Sequence, residues 1–247
     1  MIIELFGPPA VGKTTFARAL ATRLQERGSE VELIASNRPS DTVGFESLSP
    51  IRQTAATITR IARPVTEMVA MAGSQLISSG EVAAVADLLR MLPPRSRLWS
   101  IRLRHYLERL FRTWRLASSK SHMVLFDQGF VQAIGSLALL SRMADVDRIE
   151  RALKAVPKPD ILVRLDAPQA VLEHRLRHRL RGKVDRLFEL DLQTSLESVQ
   201  IIAELQALLR DQGCRMVCVD CADKRSLADG LERIGHEVAA SKLVGCV

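Results

Sequence analysis

The residues best suited to do chemistry stand together near the start of the chain. Gly7-Pro8-Pro9-Ala10-Val11-Gly12-Lys13-Thr14-Thr15 satisfies G-x-x-x-x-G-K-[ST] at every defined position. Gly7 and Gly12 let a loop turn tightly and bring backbone N–H groups close to phosphate oxygens. Lys13 is the cation for the β- and γ-phosphates of a nucleotide, and the Thr14 hydroxyl is an oxygen ligand for Mg²⁺. The loop and first turn, including Ala10, Val11 and Thr15, form the rest of the phosphate cradle. The dipole of the following helix adds to their pull.

Such a loop needs a strand before it and a helix after it. Met1 to Phe6, M-I-I-E-L-F, suits a short buried strand. Phe16, Ala17, Leu20, Ala21 and Leu24 recur at helical spacing, so a helix should run from about Lys13 to Arg27 and stop at Gly28. Val31–Ala35 reads as a second strand. Turn residues crowd Ser36 to Gly44, and a helical pattern covers Ser49 to Leu92 until Pro93-Pro94 breaks it. Arg95 to Ser119 reads as a basic amphipathic helix, with Leu103, Leu107, Leu110, Phe111 and Trp114 on one face. Further strands are expected at His122–Phe126, Asp160–Leu165 and Arg215–Val219. Helices are expected from Gly129, from Pro168, over Phe188–Asp211 and over about Ser226–Ala239.

Alternating short apolar strands and helices indicate an α/β fold, with a parallel sheet covered on both faces. The predicted architecture is a P-loop NTPase three-layer sandwich. It has a five-stranded parallel sheet, helices on both faces and an enlarged helical insertion at about 45–120. The whole of 1–247 reads as one domain, with a lid at about 172–188.

Two further groups of residues carry chemistry. Met123 to Asp127, M-V-L-F-D, is an apolar strand ending in a carboxylate. At the end of a strand beside a P-loop, Asp127 holds Mg²⁺ directly or through water, or takes a proton from an acceptor hydroxyl. After Asp166 comes a helix with Arg175, Arg177, Arg179 and Arg181. Arg175 and Arg179, four apart, share a helix face and can clamp a phosphoryl group as charge develops. The alternative for this cluster is a solvated helix end.

Composition narrows the classes. The chain has 35 basic and 28 acidic residues, a net +7, which suits a polyanionic ligand. No basic platform interleaved with aromatic residues is visible, so nucleic acid is not an expected partner. The first apolar run is short and carries Glu4, unlike a secretory signal. No uncharged apolar stretch reaches about 18 residues, so no membrane span is expected and the cytoplasm is the expected location. Cys218 and Cys221 form a lone C-x-x-C. Cys214 and Cys218 lie in a run that reads as a buried strand, which favours free thiols over metal or redox roles. The arginine face of Arg95–Ser119 is a solvated surface or a contact for an acidic substrate, partner or membrane.

The order L-D-A-P, then V-L-x-x-R-x-R-x-R, then D-R-L-F-E, taken with the glycine loop, resembles thymidylate kinases and their relatives. The resemblance implies an ATP-dependent phosphotransferase using Mg²⁺ and a small-molecule acceptor, a nucleoside, nucleotide or related metabolite. It implies that Lys13, Thr14, Arg175 and Arg179 take donor-phosphate and lid positions, that Arg186 is the second basic position of the lid, and that Val217–Asp223 closes over the donor adenine. Two departures stand out. Where the family carries a T-R-E-P-G-type sequence, this chain has S-N-R-P-S, leaving Arg38 as the acceptor-side residue. Where it carries arginine after the strand-3 aspartate, this chain has Gln128. Gln128 and Gln132 offer amide donors and acceptors, which suit a neutral acceptor group. A different class stays open: a partner- or membrane-regulated ATPase or switch working through the arginine helix. The apolar stripes of the insertion leave a homodimer open.

Overall fold

The computed structural model describes residues 1–35, 79–141, 143–181 and 192–244, apart from the side chains at 179–181, 192 and 242–244. Five strands alternate with eight helices among these residues. In chain order they are β1 (Ile2–Phe6), α1 (Lys13–Glu26), β2 (Val31–Ile34), α2 (Ser79–Met91), α3 (Arg97–Ser118), β3 (Met123–Phe126) and α4 (Phe130–Leu140). They continue with α5 (Val146–Lys154), β4 (Ile161–Asp166), α6 (Gln169–Arg181), α7 (Leu192–Asp211), β5 (Met216–Asp220) and α8 (Lys224–Val244). The turn-rich reading of 36–44, the helical reading of 49–78, Arg38 and Arg186 all lie outside the described residues.

The strands form one parallel sheet in the order β2-β3-β1-β4-β5. β1 is central because all five of its residues are buried, a pattern only an inner strand tolerates. Alternation along β1 divides the core. Ile2 and Phe6 face a cluster with α2, α3, α4, α5 and α7, while Ile3 and Leu5 face α1, α6 and α8. The result is the α/β three-layer sandwich expected from the sequence. No helix among the described residues is long and apolar enough to cross a membrane.

The basic helix is part of this sandwich. α3 buries Leu103, Leu107, Leu110, Phe111 and Trp114, the face read from its periodicity. Trp114 stacks on Phe126 with ring centres 4.9 Å apart, and Phe111 meets Phe130 at 4.6 Å. Phe126 precedes Asp127, and Phe130 begins α4. The four aromatic rings therefore brace both sides of the Asp127-Gln128-Gly129 turn.

Three expectations need correction. α5 was not foreseen: it is a single short helix whose Ile149, Ala152 and Leu153 are buried and whose start is capped by the Asp145 carboxylate, which accepts from Arg148 N. The last helix starts at Lys224 and reaches Val244, longer than its apolar pattern indicated. Among the described residues the buried thiol is Cys221. Cys214 and Cys218 are half-buried: Cys214 precedes β5, and Cys218 lies on the face of β5 opposite Val217 and Val219, where its sulfur accepts from Gln206 and Arg210 of α7.

Candidate active site

The parallel strands bring their carboxyl ends to one edge, where ligands bind in open α/β sheets. β1 there enters the glycine loop. Gly7 has φ +155°, and a side chain on it would start 2.3 Å from the Leu165 carbonyl oxygen of neighbouring β4. Only glycine lets the loop pass this close to the sheet. Gly12, at φ 102°, opens α1.

Lys13 is mostly buried, and its Nζ donates to Gly7 O at 2.7 Å and Pro8 O at 3.0 Å. The ammonium is held over the loop its own chain has just formed. Thr14 Oγ1 donates to Asp127 Oδ2 at 2.9 Å, linking positions 113 apart in sequence. Asp127 is fully buried, and its backbone N–H donates to Ile34 O at the end of β2. A hydroxyl and a carboxylate side by side at a phosphate loop make an all-oxygen pair of the kind a hard divalent cation uses. That donor set fits Mg²⁺.

Gln132 Oε1 accepts from Gly7 N at 3.1 Å, so α4 grips the first amide of the loop. Of the two glutamines read as acceptor contacts, Gln132 is thus engaged with the loop. Gln128 is half-buried and makes no hydrogen bond among the described residues.

Arg175 is turned toward backbone carbonyls. It donates to Val11 O at 3.4 Å and to Cys221 O and Ala222 O, both at 3.0 Å. One guanidinium thus joins the glycine loop to the segment after β5, the segment expected to lie over a donor base. Arg177 pairs with Glu173 on its own helix. Arg179 belongs to α6, and its side chain is outside the described residues. Cys221, beside these contacts, has its thiol pushed up to about 11 by burial and the nearby Asp220. It stays protonated near neutrality and is a poor nucleophile.

One residue of the site was passed over in the sequence. Glu4 lies in the middle of β1, fully buried, and its Oε1 accepts from Val131 N at 2.6 Å. Its carboxylate caps the first turn of α4, where the helix dipole is positive. Its other oxygen, Oε2, has no partner. Burial pushes its pKa up to about 8 against the opposing pull of backbone N–H groups at Val131, Gln132 and Phe130. A lone carboxylate inside an apolar strand was the available signal.

The family model described as AAA domain matches residues 2–200 of the chain. The chain belongs to the AAA domain family. Among solved structures, this AAA domain is similar to deoxyadenosine kinase from M. mycoides with the products dCMP and a flexible dCDP bound. That likeness has 12% identity and a TM-score of 0.54, covering 97% of this chain and 100% of the other. The same enzyme with bound dATP aligns at 13% identity and a TM-score of 0.50, with the same coverage of each chain. Likeness at this identity establishes a shared fold. No curated protein matches the sequence.

The AAA domain depends on Gly129 for the approach of Glu4. A Cβ at Gly129 would fall 2.4 Å from Glu4 Cδ and 2.7 Å from Oε2. Gly129→Ala is expected to destabilise the fold by about 1–3 kcal/mol through overpacking. Urea unfolding would measure it. A midpoint equal to wild type would show that the Glu4 side chain yields freely.

Proposed function

We propose that the chain is an ATP-dependent kinase that moves the γ-phosphoryl group of ATP to a small-molecule acceptor, a nucleoside, nucleotide or related metabolite. The observation that carries this reading is the Thr14–Asp127 pair beside Lys13 at the glycine loop. Those three side chains come from the first turn of α1 and the end of β3 and converge where a nucleotide's β- and γ-phosphates would lie. The fold shared with a deoxyadenosine kinase supports an acceptor of the nucleoside class.

In this reading Lys13 leaves its loop carbonyls and neutralises the phosphate oxygens. Thr14 and Asp127 would hold Mg²⁺, which when bound would offset the charge of the nucleotide's phosphates. The bond between the γ-phosphorus and the β-bridging oxygen breaks as a bond to the acceptor oxygen forms. The acceptor's proton passes to Asp127 or, through water, to solvent. Arg175 positions the segment after β5 against the loop. Arg179 and Arg186 are assigned to the transferring phosphoryl group by their places in the sequence, and Arg38 to the acceptor side. Gln128, an amide with unused hydrogen-bonding capacity, suits an uncharged group, so a hydroxyl of a nucleoside is preferred over a monophosphate.

A second reading keeps ATP but replaces the acceptor by a macromolecular or membrane partner. It rests on α3, whose buried Trp114 packs against the residue preceding Asp127 and whose other side carries arginines.

The test is incubation with ATP and Mg²⁺ in the presence of pooled nucleosides, nucleotides, sugars and alcohols, followed by mass spectrometry. A new phosphorylated product is the expected result. ATP loss with no phosphorylated product would overturn the kinase reading and favour the partner-regulated one. No turnover under any condition would also overturn it.

A further inference from the structure

One face of α3 packs on the core, and the opposite face is not purely polar. Leu98 and Leu116 are about five helical turns apart, which puts them on one line of the helix, about 27 Å from end to end. They are 79% and 54% exposed. Ile101, about one turn along and close to the same line, is 54% exposed. Three of the six large apolar side chains exposed among the described residues are these. They are not strays from the core stripe, since Leu103, Leu107 and Trp114 are buried on the other side of the helix.

Arginines occupy the space between them. By their spacing, Arg102, Arg109 and Arg112 share the outward face, and Arg97, Arg104 and Arg115 run along one flank. Glu108 is the one acid of the helix. Its side chain is only 14% exposed and already meets Arg104 at 3.8 Å and His105 at 3.4 Å.

A single exposed leucine is ordinary, but three aliphatic side chains set among arginines on one helix face make a basic amphipathic surface. An anionic bilayer answers both halves of it. Aliphatic side chains enter the boundary between headgroups and acyl chains. Arginine stems lie along that boundary while their guanidinium groups take lipid phosphates by paired N–H bonds. Nucleic acid would meet the arginines alone, because no aromatic side chain stands on the outward line to stack a base. An acidic protein would set its carboxylates against three aliphatic groups.

We propose that the outward face of α3 docks the chain on the surface of an anionic bilayer, with Leu98, Ile101 and Leu116 as anchors and the arginines on lipid phosphates. The helix lies in the plane of the interface, and its inner face stays packed on Phe126 and Phe130. Docking shares its class of partner with the second reading above and rests on it in no other way. No residue of the glycine loop takes part, so failure to bind lipid and failure to transfer phosphate are separate results.

The experiment sediments the full chain with sucrose-loaded vesicles of phosphatidylcholine alone and of phosphatidylcholine mixed equally with phosphatidylglycerol, at physiological salt. The expected result is binding at least about tenfold tighter to the anionic vesicles, since each arginine near such a surface adds to the attraction. Leu98→Ser/Ile101→Ser/Leu116→Ser should weaken that binding at least about tenfold by removing the groups that enter the bilayer. Its thermal melt should match wild type, because all three side chains are exposed. Arg97→Gln/Arg109→Gln should weaken binding at least about fivefold. Absence of binding to the anionic vesicles would overturn the proposal. So would equal binding to the two kinds of vesicle, or unchanged binding by the serine variant, which would mean adsorption of arginines to charge without insertion. Tighter binding to duplex DNA or to polyglutamate than to the vesicles would assign the face to nucleic acid or to an acidic protein and overturn it as well. If the serine variant fails to fold, the arginine variant and the two kinds of vesicle decide.

Discussion

Lys13→Ala is expected to lower ATP-dependent phosphoryl transfer by at least about 10²–10³-fold, the usual loss when one preorganised electrostatic donor is removed. The ammonium is mostly buried and held within 3.0 Å of two loop carbonyls, beside the place where phosphate charge would develop once it leaves them. Alanine removes the charge but leaves the Gly7 and Pro8 carbonyls near a loop that water can reach. The stability loss should therefore be about 1 kcal/mol, the net worth of such bonds. Activity and folding thus separate. Lys13→Arg should not rescue turnover, because a planar guanidinium cannot occupy the position of a compact ammonium in so tight a loop. Product formation by mass spectrometry, with circular dichroism melts on the same samples, measures both effects. A folded alanine variant with wild-type turnover would remove the glycine loop from the mechanism.

Glu4→Gln should change how stability responds to pH. In the unfolded chain this carboxyl titrates near its ordinary value of 4.5, and in the folded chain at about 8. Between those values the folded state binds more protons than the unfolded state. Stability from this group is therefore fully present below about 4.5 and is lost as pH rises toward 8. The loss across the whole window is at most about 5 kcal/mol, taking 1.36 kcal/mol for each pH unit. Glutamine keeps an oxygen for Val131 N–H and has no charge to bury. The variant should match wild type near pH 5 and exceed it at pH 8.5, with a flatter profile between. Glu32, Asp223 and Glu232 have carboxyls held below their ordinary values, chiefly by hydrogen bonds to Lys120, Ser226 and Arg23 respectively, so their effects appear on acidification and fall outside this window. Urea unfolding at a series of pH values would decide. Parallel profiles for the two proteins would mean that Glu4 does not titrate in this range.

What could be read from the sequence was whatever is encoded over short distances. The glycine loop, its strand and its helix occupy consecutive residues, so their spacing alone defines them. Asp127 was visible because a run of apolar residues ends in a carboxylate. The buried face of α3 followed from its period. The contacts that join these pieces were not legible. Gln132 reads as an amide contact for the acceptor until the sheet order places it against Gly7. Glu4 reads as an interruption in a strand until α4 is laid over it. Arg175 was expected to face phosphate, but an arginine is long enough to reach three carbonyls on two other segments, and no local pattern tells one target from the other. α5 escaped because its nine residues supply too few turns for periodicity to stand out.

The position of β1 has a consequence for how the chain is made. The central strand of the sheet is synthesised well before its partners. Gly7 waits for Gln132, 125 positions on, and Ile2 waits for Asp160, 158 positions on. At about 5–20 residues per second, a ribosome leaves this apolar strand unpaired for roughly 6–30 s. Contacts this distant also slow folding after release, since loop closure must precede pairing. The segment that positions the phosphate loop is therefore exposed to wrong partners during synthesis, and a chaperone that engages nascent apolar strands would meet it unpaired.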